Sequence, residues 1–197
     1  MDIVQRPRVL ILGHSFISRL ANDIFVKPYL DSNFDLMQCD IHCYKIGGAS
    51  VKTFFDKQEV CAEIVNFKPH IIILQVGGND LCFEDLKPET LACQIIDSME
   101  ELHSKYEIKQ IFVCELFIRS NPRNISYGVY EHKRKIVNQM LKDMLSDKPY
   151  LNFWKHLRLM NRPLHILSGD GVHLNDIGSK KFYRSLRLAV LHALDLV

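Results

Sequence analysis

The chain of 197 residues carries 25 basic against 23 acidic side chains, a net +2, and 47% of its residues are hydrophobic. That length suits a single domain over residues 1–197 with a sizeable core, and the near-balanced charge argues against a polyanion as the main ligand. Cys39, Cys43, Cys61, Cys82, Cys93 and Cys114 show no CxxC pairing and fall mostly in apolar segments, which reads as reduced core residues rather than disulfide or zinc partners. The opening residues contain no apolar segment long enough for a signal peptide or a membrane span, so a cytoplasmic protein of a reducing compartment is expected.

Short apolar runs alternate with amphipathic stretches along the chain. Arg8–Leu12 is predicted as a buried strand, Phe16–Val26 as a helix, Leu36–Ile46 as a strand and Val51–Asn66 as a helix. His70–Val76 is the clearest buried strand, and Pro88–Tyr106 reads as a helix with proline in its first turn. Gln110–Leu116 is a fourth strand, Tyr127–Leu145 a long helix, Tyr150–Trp154 a fifth strand and Asn175–Leu194 a closing helix. Such a βαβα order implies parallel strands covered by helices on both faces. The chain shows no repeats, low-complexity segment or Gly/Pro/Ser-rich linker.

In an open parallel sheet, ligands bind beyond the carboxyl ends of the strands. Gly13-His14-Ser15 follows the first strand, Gly47-Gly48-Ala49-Ser50 the second and Gly77-Gly78-Asn79-Asp80 the third, while Asp170-Gly171-Val172-His173 precedes the last helix. A serine hydroxyl is a weak nucleophile unless an imidazole takes its proton and a carboxylate holds that imidazole in the right tautomer. Ser15, His173 and Asp170 are of the three types required. Ser15 also opens a helix, whose N–H groups and dipole favour developing negative charge. Gly48 permits close backbone approach, and the Asn79 amide can donate to an oxyanion. Each block alone has a plainer reading: Ser15 as an N-cap, the glycine clusters as turns, His173 as a satisfied core histidine. Their joint order at strand ends favours the chemical one.

With these blocks the chain resembles the SGNH (GDSL-type) hydrolases, whose four motifs occur in order as Gly13-His14-Ser15, Gly48, Gly77-Gly78-Asn79-Asp80 and Asp170-Gly171-Val172-His173. The resemblance implies a three-layer α/β/α, flavodoxin-like fold with a five-stranded parallel sheet of order 2-1-3-4-5. It implies Ser15 as nucleophile, His173 as general base and Asp170 as orienting acid, with the Ser15 N–H, the Gly48 N–H and the Asn79 side chain as oxyanion donors. No metal or organic cofactor is implied, and the substrate would be a small-molecule or lipid ester, short acyl or acetyl esters first. Ile11–Leu20 and Lys45–Ser50 are similar in style to platelet-activating-factor acetylhydrolase-like esterases and to esterase domains encoded by some animal retrotransposons. The family's first block usually reads Gly-Asp-Ser, and His14 departs from it by placing a titratable ring beside Ser15. Adjacent side chains at a strand end point to opposite sides, so His14 is not expected to act as the base.

The remaining signals are weaker. His42, His70, His103, His132, His156, His165 and His192 lack metal-ligand spacing, and Met140, Leu141 and Met144 read as core at helical spacing. The cluster His132-Lys133-Arg134-Lys135, and Lys180, Lys181, Arg184 and Arg187, read as solvated helix faces. Those basic helices, with His14, also leave open a competing function, a non-catalytic or weakly catalytic binding module of a mobile-element protein contacting nucleic acid or membrane. The segment Phe117–Arg123 after the fourth strand is expected to border the acyl or leaving-group pocket.

Overall fold

The computed structural model describes residues 6–45, 50–157, 159 and 163–197. Five parallel strands, β1 (Arg8–Gly13), β2 (Asp40–Lys45), β3 (Ile71–Gln75), β4 (Gln110–Cys114) and β5 (Leu151–Trp154), form one sheet in the order β2-β1-β3-β4-β5. Six helices cover it: α1 (Ser15–Val26), α2 (Val51–Phe55), α3 (Gln58–Phe67), α4 (Pro88–Tyr106), α5 (Tyr127–Leu145) and α6 (Asp176–Ala193). The expected architecture and strand order are present.

Strand pleating divides the apolar runs between two cores, because successive side chains point to opposite faces. Leu10, Leu12, Ile72, Leu74, Ile111 and Val113 meet α2 through α5 on one face. Val9, Ile11, Ile71, Ile73, Phe112 and Cys114 meet α1 and α6 on the other. β3 is buried along its whole length, as a central strand covered on both faces must be.

Two elements differ from the sequence expectation. The run from Leu36 becomes strand only at Asp40, because Phe34 and Asp35 take left-handed conformations (φ 55° and 53°) and Asn33 claims the following backbone. The Asn33 amide donates to Leu36 O and Cys39 O and accepts from Ile41 N–H, so Leu36 and Cys39 are buried without strand pairing. The stretch after Ser50 is two helices, not one. Phe54 and Val60 both face the core, yet a six-residue gap is out of phase with a 3.6-residue turn. An extended Lys57 (ψ 125°) resets the phase.

Four assignments of single side chains also change. Met144 is exposed rather than core, as is Cys93. All six cysteines are free, with Cys39, Cys82 and Cys114 buried. Lys133 is not on a solvated face: it is buried, and its Nζ donates to Phe83 O, Glu84 O and Leu86 O at 2.8, 2.8 and 3.0 Å. Arg134 is paired with Glu131 and donates to Leu116 O. Among the described residues no helix is long and apolar enough to cross a membrane.

Candidate active site

Ser15 enters the site from the carboxyl end of β1. Gly13 makes the passage possible: a Cβ there would stand 2.5 Å from Ile17 Cγ1 and 2.6 Å from Gln75 O. His14 occupies the cap position of α1 without making a side-chain cap, so Ser15 is the first helical residue and not the N-cap that its plainer reading assumed. Its N–H is one of the donors that a helix start leaves without an intrahelical acceptor.

His173 comes from a tight turn ahead of α6. Ser168 N–H donates to His173 O at 2.7 Å, Gly171 N–H to Ser168 O at 2.9 Å, and Ser120 N–H to Gly171 O at 2.8 Å. Gly171 has φ 67°, and a Cβ on it would lie 2.6 Å from Ser120 Oγ and 3.0 Å from Asn121 N. Only glycine fits both the conformation and the contact. The turn is thereby clamped to the segment that follows β4.

Across 158 residues of sequence, Ser15 Oγ lies 3.0 Å from His173 Nε2, and His173 Nδ1 lies 2.7 Å from Asp170 Oδ2. The carboxylate is an acceptor only, so Nδ1 carries the proton and Nε2 accepts from the serine hydroxyl. Asp170 Oδ1 receives Ser168 Oγ–H at 2.7 Å and the Val172 and His173 N–H groups at 2.9 Å each. Burial pushes the Asp170 carboxyl up, but these donors, His173 N–H foremost, outweigh it and hold the group well below the usual carboxylate range. Arg19 adds an exposed contact at 3.3 Å.

His14 turns away from this constellation, as its position predicts. It is 4% exposed, packs edge-on to Phe54 with centroids 5.1 Å apart, and its Nε2 has no partner. Burial, with the charges of Arg119 and Lys57, lowers its pKa to about 4, so the ring is neutral at pH 7.

Asn79 follows β3 through Gly77 (φ 91°) and Gly78, and lines the same cleft as Ser15 and His173. Arg119 Nη2 donates to Asn79 Oδ1 at 3.0 Å, which fixes the amide so that its NH2 faces away from the guanidinium. A Cβ on Gly78 would lie 3.0 Å from Arg119 Nη2, so the glycine admits this approach. Asp80 Oδ1 accepts Val51 N–H at 2.8 Å and ties the third motif to the start of α2. Gly48, expected as a further oxyanion donor, lies outside the described residues. The cleft has a volume of about 310 Å³, and its lining includes Phe83, Arg119, Arg123 and Val172. The segment after β4 borders the pocket as expected. Its contact with Asn79 had no sequence signal, since the partners are 40 residues apart. Among the described residues no group of three or more His, Cys, Asp or Glu side chains converges as for a metal ion.

Comparisons with known proteins agree with the architecture. A Streptococcus pneumonia protein provisionally described as a platelet activating factor superposes with TM-score 0.70 at 17% identity, over 96% of this chain and 86% of that one. A GDSL-like lipase from Bacteroides thetaiotaomicron gives 0.67 at 16% identity, over 94% and 88%. A carbohydrate esterase family 3 protein from Talaromyces cellulolyticus gives 0.65 at 13%, over 97% and 99%. The curated proteins contain no significant match to the sequence. Residues 28–181, which include the second, third and fourth motifs, match the family described as GDSL-like Lipase/Acylhydrolase. The chain therefore belongs to the GDSL-like lipase/acylhydrolase family and is a hydrolase acting on ester bonds.

Proposed function

We propose that the protein hydrolyses short-chain esters through a covalent acyl-enzyme, with Ser15 as nucleophile, His173 as general base and Asp170 as its orienting acid. The observation that carries this reading is the continuous chain Ser15 Oγ, His173 Nε2, His173 Nδ1, Asp170 Oδ2 at 3.0 and 2.7 Å. Ser15 Oγ attacks the acyl carbon while its proton passes to His173 Nε2, and Asp170 stabilises the imidazolium that forms. The tetrahedral oxyanion is met by the Ser15 N–H and the Asn79 amide, whose orientation Arg119 holds, and by Gly48 N–H on the family pattern. Collapse expels the alkoxide, which takes the proton from His173. Water then attacks the acyl-serine, with His173 again as base.

A cleft of about 310 Å³ stands at the small end of ligand sites, which favours short acyl groups. The competing nucleic-acid or membrane module draws less support: Lys133 and Arg134, two cations of its strongest cluster, are engaged inside the fold. The test is turnover of 4-nitrophenyl acetate together with labelling by a fluorophosphonate. Wild type is expected to be labelled and active, and Ser15→Ala folded, unlabelled and inactive. Persistent labelling of folded Ser15→Ala refutes the assignment.

A further inference from the structure

The cleft beside Ser15 carries two cations on its own lining. Arg119 and Arg123 belong to its lining, and among the described residues no Asp or Glu does. Among the described residues neither arginine takes part in an ion pair. Arg119 is only 4% exposed, and its guanidinium spends its donors on neutral atoms, Asn79 Oδ1 at 3.0 Å and Cys82 Sγ at 3.4 Å, above the Tyr130 ring with 5.7 Å to the centroid. Its buried Nε has no hydrogen-bond partner. Asp80, the acid whose own titration feels Arg119, directs Oδ1 to Val51 N–H instead.

A guanidinium withdrawn from water without an anion is costly, and arginine cannot escape that cost by losing its proton. Asp80 offsets that cost only through space, with no ion pair to Arg119 among the described residues, and an anion entering the cleft would offset it directly. One such charge is the transient oxyanion, which Arg119 reaches through the Asn79 amide. That accounts for one cation and not for two, since Arg123 is exposed, unpaired and on the same lining.

We propose that the ester substrate bears an anionic group, a carboxylate or a phosphate, which rests against Arg119 and Arg123 while the ester carbonyl faces Ser15. This rests on the serine-hydrolase reading given above and specifies its substrate class. Planar guanidinium forks match both anions in geometry. The anion also neutralises the lining in the ground state, so its contribution appears as specificity between esters of equal reactivity.

The test compares matched pairs on the wild-type protein at low and high salt. The acyl-side pair is mono-4-nitrophenyl glutarate against its methyl ester. The alcohol-side set is phenyl acetate against 4-acetoxybenzoate and 4-acetoxyphenyl phosphate, which separates carboxylate from phosphate. The expected result is a kcat/KM about two- to fivefold higher for an anionic member than for its neutral twin, the energy of one partly screened ion pair, and a ratio that shrinks as salt rises. Arg123→Gln should lower that ratio and Arg123→Glu invert it; Arg123 is exposed, so neither change threatens folding. Preference for the neutral twins in both sets, or a ratio untouched by Arg123→Glu, overturns the charge preference while leaving the hydrolase reading standing. Failure of every ester together with absent labelling of Ser15 overturns both.

Discussion

Replacing Asp170 by Asn changes one atom and tests the whole relay. The carboxylate receives Ser168 Oγ–H and two backbone N–H groups on Oδ1 and the His173 ring on Oδ2. An asparagine carbonyl in the Oδ1 position keeps the first three bonds, so the turn should survive. Its NH2 then faces His173 Nδ1, and two donors cannot share that 2.7 Å contact. The ring must adopt the other tautomer, with its proton on Nε2 towards Ser15 Oγ, where it can no longer accept. The loss expected of a wrong tautomer is about 10⁴-fold in kcat, roughly 5 kcal/mol of barrier. Stopped assays with 4-nitrophenyl acetate, the rate of fluorophosphonate labelling and a thermal melt would be measured side by side. Both rates should collapse with the melt nearly unchanged. A folded Asp170→Asn protein within about tenfold of wild-type turnover would refute the relay, since a loss that small leaves no room for a tautomer switch.

Two further outcomes follow from the site and its surroundings. Asn79→Ala should lower kcat by about 100- to 1000-fold with little change in KM, because an oxyanion donor acts only on the transition state; a change confined to KM would make Asn79 a binding residue. Acid should destabilise the fold through its buried histidines: burial lowers His14 to about 4 and His156 to about 3, so between the ordinary imidazole value of about 6.5 and those values the unfolded chain binds protons that the folded one refuses, and stability falls as pH falls. For His14 that is about 3 kcal/mol on the scale of 1.36 kcal/mol per unit, and urea unfolding of His14→Phe should show a shallower loss between pH 6.5 and 4 than wild type.

Periodicity was a sound guide wherever burial on both faces decided the structure. The run His70–Val76 is legible because a central strand is apolar throughout, and Pro88–Tyr106 because proline marks its first turn. It misled at the edge. β2 alternates exposed and half-buried positions, so nothing in composition separates the paired residues from Leu36–Cys39, which the Asn33 side chain holds as loop. Lys133 was illegible for a different reason: a lysine in a basic cluster is ordinarily solvated, and the carbonyls that bury it belong to a segment about 50 residues away. In the candidate site, the residue types and their strand-end placement were readable, while the closeness of Ser15 to His173 and of Arg119 to Asn79 exists only in the fold.

The serine and the histidine stand at opposite ends of the polypeptide, brought together by α1 and α6 packed on one sheet face. Ser179 Oγ donates to Asp23, and Lys27 bridges Asp23 and Asp176, so the two helices are stitched beside the site. A chain cut at the exposed Ser146–Asp147 turn between α5 and β5 would yield one piece with Ser15 and another with His173. On the proposed mechanism neither piece would cleave an ester alone. Colour released from a nitrophenyl ester by such a mixture would therefore count reassembled molecules, making the protein a split reporter whose signal is its own completed topology.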